Sequence, residues 1–270
     1  MHGLKETSGI SPPVRAEISG TLGPEIHQKR YRLARRVYAC RAQCVVVFLD
    51  ARRDRYYGLG GVDILRLFDL VCGFSDTDQP LRESAEPPID PERLERLANT
   101  LVGRGLLCDR GDEGGDDEGA QKDGRRLASP QIDPPQLRAP DNRSPQLLDL
   151  TNFLVACLRA AWCLQWSSLG DIASRVTRAR GEEAPSALQA NIELARVFQR
   201  LRRWFFSEKN RCLFSSLSLI YFLQSYGHFP HFVIGVQTAP FAAHAWVQKD
   251  RIVLNGDAEI VGHFTPILVA

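Results

Sequence analysis

The chain has 270 residues, 44% of them hydrophobic and 24% charged, ordinary globular values that exclude wholesale disorder and collagen-like repeats. At roughly 150 residues per domain, that length predicts two domains. Lys and Arg exceed Asp and Glu by only 34 − 32 = +2, so the chain as a whole offers no electrostatic footprint for nucleic acid or an anionic membrane. Purely apolar runs reach only about six residues, as at Cys44 to Leu49, short of the roughly 18 that span a bilayer. Residues 1–20 carry no apolar stretch of the signal-peptide kind and read as a disordered Ser/Gly/Pro-rich tail. Seven cysteines without Cys-x-x-Cys or Cys/His spacing predict free thiols rather than a disulfide framework or structural zinc. The expectation is a soluble cytoplasmic protein with no cofactor and no metal.

Ordered structure is predicted from residue 21 onward. Cys44 to Leu49 is a β-branched apolar run ending at Asp50, the pattern of a buried strand. Ala51 to Asp54 reads as a turn, Arg55 to Leu59 as a returning strand, and Tyr38 to Arg41 as a third. The basic cluster from Lys29 to Arg36 reads as a solvated face. Val62, Leu65, Phe68, Leu70 and Val71 recur at near-helical spacing. Asp90 before Pro91 is an N-cap followed by Pro at the first helical position, and Leu94, Leu97, Leu101 and Val102 then share one helix face. Gly103 or Gly105 ends that helix, and Leu106 to Cys108 adds a short strand. A small domain over 21–110 follows from this. Residues 111–144, acidic and Gly-rich and then Pro-rich, cannot bury enough apolar surface to order and are predicted to be a linker.

The second domain, 145–270, opens with Leu147 to Trp166, apolar enough to predict a largely buried helix. A further helix over about Leu188 to Phe206 turns Ile192, Leu194, Ala195, Phe198, Leu201 and Phe205 inward. From Cys212 through Gln248, 248 − 212 + 1 = 37 consecutive residues lack any Lys, Arg, Asp or Glu, which places them at the centre of a core. Within them Leu213 to Tyr226 reads as a buried helix, Phe232 to Val236 and His244 to Val247 as strands, with Arg251 to Leu254 as a hairpin partner. Helices followed by antiparallel strands define an α+β domain.

Two residues in this uncharged segment carry chemistry. Cys212 stands where the buried helix begins, and free N–H groups in a first helical turn favour thiolate over thiol. His244 interrupts the apolar run Phe241-Ala242-Ala243-His244-Ala245-Trp246, flanked by small residues that leave room above its ring. A thiolate that attacks a carbonyl and an imidazole that protonates the leaving amine make a cysteine nucleophile site. Cys40, Cys44, Cys157 and Cys163 lie in apolar runs and read as core. His228 and His231 flank Phe229-Pro230 with no third ligand nearby, so no metal is expected there.

The run Arg211-Cys212-Leu213 with Ser216-Leu217 and Leu219, then Gly227, Val233-Ile234-Gly235-Val236 and Pro240-Phe241-Ala242-Ala243-His244-Ala245-Trp246-Val247 resembles the lasso-peptide B protein family. The resemblance covers roughly 145–270, including the spacing 244 − 212 = 32 between Cys and His. It implies a papain-related, transglutaminase-like cysteine protease that removes the leader from a ribosomally made precursor, with Cys212 and His244 catalytic. The family usually carries an Asp twelve residues after the His. That position here is Gly256, so Asp257, displaced by one, is the predicted third member, and Asn255 is the alternative.

Residues of about 31–108, through Val45-Val46-Val47-Phe48-Leu49-Asp50 and Arg55-Tyr56-Tyr57-Gly58-Leu59, resemble the small winged-helix-like PqqD-type leader-recognition domain. That resemblance implies that a leader peptide adds a strand to the Arg55–Leu59 edge and lies against the helix of Leu94, Leu97 and Leu101, with Arg55, Tyr56 and Tyr57 contributing. A linker of about 35 residues would then hold the scissile bond near Cys212 by effective concentration. The implied partners are the precursor's leader and an ATP-dependent, asparagine-synthetase-like cyclase. Acyl transfer by a transglutaminase and non-catalytic delivery of the precursor are the competing readings.

Overall fold

The computed structural model describes residues 31–72, 90–109, 145–180, 187–206 and 211–270. The predicted tail at 1–20 and linker at 111–144 lie outside them. The first unit runs β1 (Tyr31–Leu33), β2 (Val37–Ala42), β3 (Val45–Asp50), β4 (Arg55–Gly60), α1 (Val62–Cys72), α2 (Pro91–Gly103) and β5 (Leu107–Asp109). Strands β2, β3 and β4 form an antiparallel meander in that spatial order, so β4 is an edge strand, while β1 pairs with β5. Helix α2 begins as its sequence requires: the Asp90 carboxylate accepts the Glu92 N–H at 3.1 Å ahead of Pro91.

Alternation along the meander assigns its two faces. Val37, Ala39, Val46 and Phe48 point into a core with α1 and α2, joined by Ile64, Leu67, Leu94 and Leu101. Cys40, Ala42, Val47 and Leu49 point the other way, into the core of the second unit. A sheet covered on both faces explains why β3 reads as an unbroken apolar run rather than an alternating one. Cys44, expected in the core, is exposed, because it stands at the β2–β3 turn.

The second unit holds α3 (Leu147–Trp166), α4 (Leu169–Arg178), α5 (Ala187–Phe205), α6 (Cys212–Gln224), β6 (His231–Thr238), β7 (Phe241–Lys249), β8 (Ile252–Val253), α7 (Ala258–Val261) and β9 (Thr265–Val269). Its sheet is antiparallel throughout, in the order β8-β7-β6-β9. Leu217, Leu219, Ile220, Phe222 and Leu223 bury α6 on every side, against α3, α5 and the face of β7 that carries Ala245 and Val247. Across the sheet, Val233, Trp246, Val253 and Val261 form a smaller core. The class is α+β, as the sequence predicts.

Helix α3 departs from expectation. It is long and apolar enough to cross a membrane by length and composition, yet here it packs through Phe153, Ala156, Ala160 and Cys163. Its outer side exposes Leu158, Trp162 and Trp166 at 71%, 68% and 70%. Phe205, expected inward, is also exposed at the end of α5.

The two units are locked together by polar contacts around the shared core. The N-terminus of α4 receives the β3–β4 turn: the Leu169 N–H donates to the Asp54 carboxylate at 2.9 Å, and the Gly170 N–H donates to the Ala51 carbonyl at 2.8 Å. A Cβ on Gly170 would stand 3.1 Å from that carbonyl oxygen and 3.0 Å from Arg36, so a glycine permits the approach. Arg36 pairs with Asp171 at 2.8 Å, and the Thr238 hydroxyl donates to the Gln43 side chain at 3.1 Å. The second unit is thus held against the sheet by packing, beyond anything a linker supplies.

Candidate active site

Cys212 is the first residue of α6, so its own N–H is not consumed by the helix. The thiol is half-buried and its pKa is held below the ordinary thiol value. The hydrogen bond with the His244 ring is the largest cause, opposed by burial. The backbone N–H groups of Ala245 and Leu213 also donate to the sulfur, and the His244 charge helps. Burial without such partners does the reverse elsewhere: it pushes Cys40 up to about 12 and Cys157 up to about 11. Among the described residues Cys212 alone shows this lowering, and the His244 ring is its largest cause, with the backbone N–H groups adding to it.

His244 lies on β7 opposite Gly235 of β6. Its ring stacks against Trp246, with centroids 6.3 Å apart at 18°, and against Phe264 at 5.3 Å. The Trp246 indole is fixed in turn by donating to the Gln248 side chain at 3.0 Å. It lies across Gly235, where a Cβ would be 2.7 Å from two indole carbons and 3.0 Å from the Phe264 Cβ. Any larger residue there would displace both rings that hold the imidazole.

Among the described residues Cys212 is the one recorded hydrogen-bond partner of the His244 ring. Nε2 of His244 lies 3.8 Å from where a Cβ on Gly256 would stand. Gly256 has φ +87°, in the left-handed region. The structure does not bring Asp257 to the ring. Its carboxylate accepts the Glu259 N–H at 2.9 Å and caps α7, exposed to solvent. Asn255 is buried and engaged elsewhere: its carbonyl accepts the Val247 N–H at 2.7 Å, and its amide donates to the Ser216 hydroxyl at 2.9 Å. Ser216 donates to the Ala245 carbonyl at 2.9 Å. Asn255 therefore ties α6 to the strand on both sides of Trp246, and its side chain is engaged there rather than on the His244 ring.

The predicted leader-binding residues divide. Arg55 is exposed on β4. Tyr57 packs on the first unit's own core, whereas Tyr56, one residue earlier, faces the second unit and meets Phe241 edge-on with centroids 5.7 Å apart. Leu94 and Leu101 are buried in the core beneath α2 and are unavailable as a docking face; Leu97 is half-buried. Leu101 does line a small apolar pocket with Leu33, Phe48, Ile64 and Phe68. Trp246, Phe264, Gly235 and Ser216 received no role from sequence. The signal available was an uncharged segment with a Gly opposite a His, legible only once the β6–β7 register is known.

A thiol lowered by an imidazole at the start of a buried helix, with that imidazole on the adjoining antiparallel strand, is the arrangement of a cysteine acyl-transfer site. Comparison with known families agrees: residues 154–269 match the model of the Transglutaminase-like superfamily, so the chain carries a domain of that superfamily. That superfamily usually contains a Cys-His-Asp triad; here Cys212 and His244 are hydrogen-bonded, while the Asp257 carboxylate caps α7. No curated protein and no solved structure matches the chain.

Proposed function

We propose that the protein is a cysteine endopeptidase that binds the leader of a ribosomally made lasso-peptide precursor and hydrolyses the leader–core bond. The Cys212–His244 pair carries this reading. The thiolate attacks the scissile carbonyl, forming a C–S bond and moving the carbonyl pair onto oxygen. The free N–H of Cys212 at the start of α6 faces that developing charge. Collapse expels the amine, which takes its proton from the His244 imidazolium. Water, deprotonated by the neutral imidazole, then cleaves the thioester and returns the thiolate.

Support for the substrate class comes from the two resemblances: the string around His244 and the strand–turn–strand of Val45–Leu59. Among the described residues the outer edge of β4 pairs with no strand, and such an edge suits an extended leader, the strand-addition mode of peptide recognition. On this reading the protein works in the cytoplasm without a cofactor, beside an ATP-dependent cyclase that consumes the released core peptide.

Timed mass spectrometry of the full chain with a synthetic precursor tests it. Two fragments whose masses sum to the precursor plus one water are expected. An amidated or cross-linked product would establish acyl transfer instead. Tight binding with no mass change would make the protein a recognition factor.

A further inference from the structure

We propose that the outer face of α3 is the contact surface for a second copy of this chain, whose own α3 lies antiparallel against it across a twofold axis near Ala156 and Cys157. The proposal stands apart from the reading of the active site and needs none of it. Leu148, Thr151, Val155, Leu158, Trp162 and Gln165 are all exposed, and they follow one another at intervals of 3, 4, 3, 4 and 3 residues. Alternation of three and four is the spacing of a packed helix seam. It also reads the same in both directions, so an antiparallel copy returns the same stripe. The pairs this brings together are Leu148 with Gln165, Thr151 with Trp162 and Val155 with Leu158, each formed twice, as a self-complementary interface requires.

Chemistry marks the face as well as spacing. Helix α3 carries two charged residues, and neither sits on the seam. Asp149 is buried and accepts the Tyr226 hydroxyl at 2.5 Å, and Arg159 turns its guanidinium over the Tyr221 ring, 4.2 Å from its centre. Helix α2, by contrast, exposes Glu92, Arg93 and Arg96. A stripe without charge meets its own copy with no like-charge repulsion. The Thr151 hydroxyl donates to the Leu148 carbonyl at 2.9 Å within the helix, so covering it strands no donor. Its small side chain faces the indole of Trp162, which packs against Trp166 with centroids 6.0 Å apart. Small against large lets two backbones approach.

Area decides what such a face needs. The large apolar side chains along it are 39–79% exposed. At roughly 150–250 Å² for a large side chain they present on the order of 900 Å². The largest apolar patch on a monomer is about 300–600 Å², whereas a standard interface takes roughly 800 Å² from each partner. A lipid surface is the other occupant that apolar area of this size could suit. A helix lying on anionic lipid frames its apolar stripe with Lys and Arg, and here Arg159 is committed to Tyr221. One α3 covers the full length of the other, so the contact closes as a dimer rather than growing into a filament.

Sedimentation velocity of the full-length protein, from nanomolar to high micromolar concentration, tests the proposal. A species of 2 × 30.2 = 60.4 kDa is expected. Leu158→Glu enters the middle of the seam from both copies and should raise the dissociation constant at least about 100-fold, with the circular dichroism spectrum unchanged. Should that variant fail to fold, Thr151→Arg, at another exposed position, carries the same measurement. A short bis-maleimide reads the register. Leu148→Cys mixed with Gln165→Cys should give a cross-link between peptides spanning positions 148 and 165, and neither variant should link to itself through those positions. A protein that stays at 30.2 kDa at every concentration overturns the proposal. Binding of that monomer to vesicles of phosphatidylcholine and phosphatidylglycerol, lost in Leu158→Glu, would give the face to a membrane instead. A dimer that Leu158→Glu and Thr151→Arg both leave intact overturns the choice of surface, and self-linking of Leu148→Cys at position 148 overturns the antiparallel arrangement.

Discussion

The two sides of the His244 ring are built differently. Toward Cys212 the site is dense with hydrogen bonds: the imidazole and two backbone N–H groups donate to the sulfur, and the helix N-terminus lies behind them. Toward the turn at Asn255–Asp257 stands Gly256, which brings no side chain, and the ring packs against Trp246 and Phe264 instead. The contrast teaches that ionising a thiol and orienting an imidazole are separable tasks. The first needs a concentrated field at one atom, which oriented N–H groups supply. The second needs only that alternative ring positions be filled, which aromatic packing supplies. A serine nucleophile, barely acidic, depends on a carboxylate behind its base; a thiol ionises readily enough to do with less.

The predictions probe this difference from its strong side to its weak one. Cys212→Ala should lower precursor cleavage by at least about 10⁴-fold with leader affinity unchanged, as removal of a nucleophile does in comparable sites. Next comes thiol selectivity. At pH 7 a thiol at about 12, such as Cys40, is ionised roughly 10³-fold less than even an ordinary one at 9.0. Its greater intrinsic nucleophilicity returns roughly 1.4 decades, leaving Cys212 at least about 40-fold faster with iodoacetamide. Because the Cys212 pKa is depressed, its alkylation rate should fall only as pH drops through a midpoint below that of an ordinary thiol. Tryptic mapping across a pH series reads both, and first labelling at Cys40 or Cys157 would reject the assignment.

Asn255→Ala should act on stability rather than on the chemical step. It strands the Val247 N–H and the Ser216 hydroxyl in a buried place, a loss of about 1–3 kcal/mol measurable by urea unfolding. Phe264→Ala should lower kcat about tenfold by freeing the ring while Phe264→Tyr restores it; equal damage by both would point to general disruption of the small core. The smallest effect belongs to Asp257→Ala. Loss of its cap should cost about 1 kcal/mol locally and leave kcat within about twofold. A drop of 10-fold or more would return the orienting role to Asp257 and abolish the contrast between the two sides.

Much of this was legible in the chain itself. The charge-free segment 212–248 marks the core, its first residue and the His set between small residues at 244 mark the chemistry, and Asp90-Pro91 marks a helix start, because local patterns report burial and capping directly. Helix α4 was also within reach, since Ser168 and Asp171 carry the spacing of an N-cap pair and do bond at 2.9 Å. Strand β9 was not: five residues with Pro266 among them make a weak signal, and pairing with β6 alone defines them.

What tertiary structure decided are matters of relation. Periodicity shows that successive strand residues face opposite ways, but not which way is outward, so Tyr56 and Tyr57 were interchangeable until the second unit covered one face of the sheet. Composition made α3 and α6 look alike, and packing buried one on every side and left half of the other exposed, because burial depends on what surrounds a helix and not on what it is made of. Twelve residues after His244 the chain offers Asn, Gly and Asp in succession. Only the fold shows that the glycine meets the imidazole, because a turn in the left-handed region turns its neighbours to other partners.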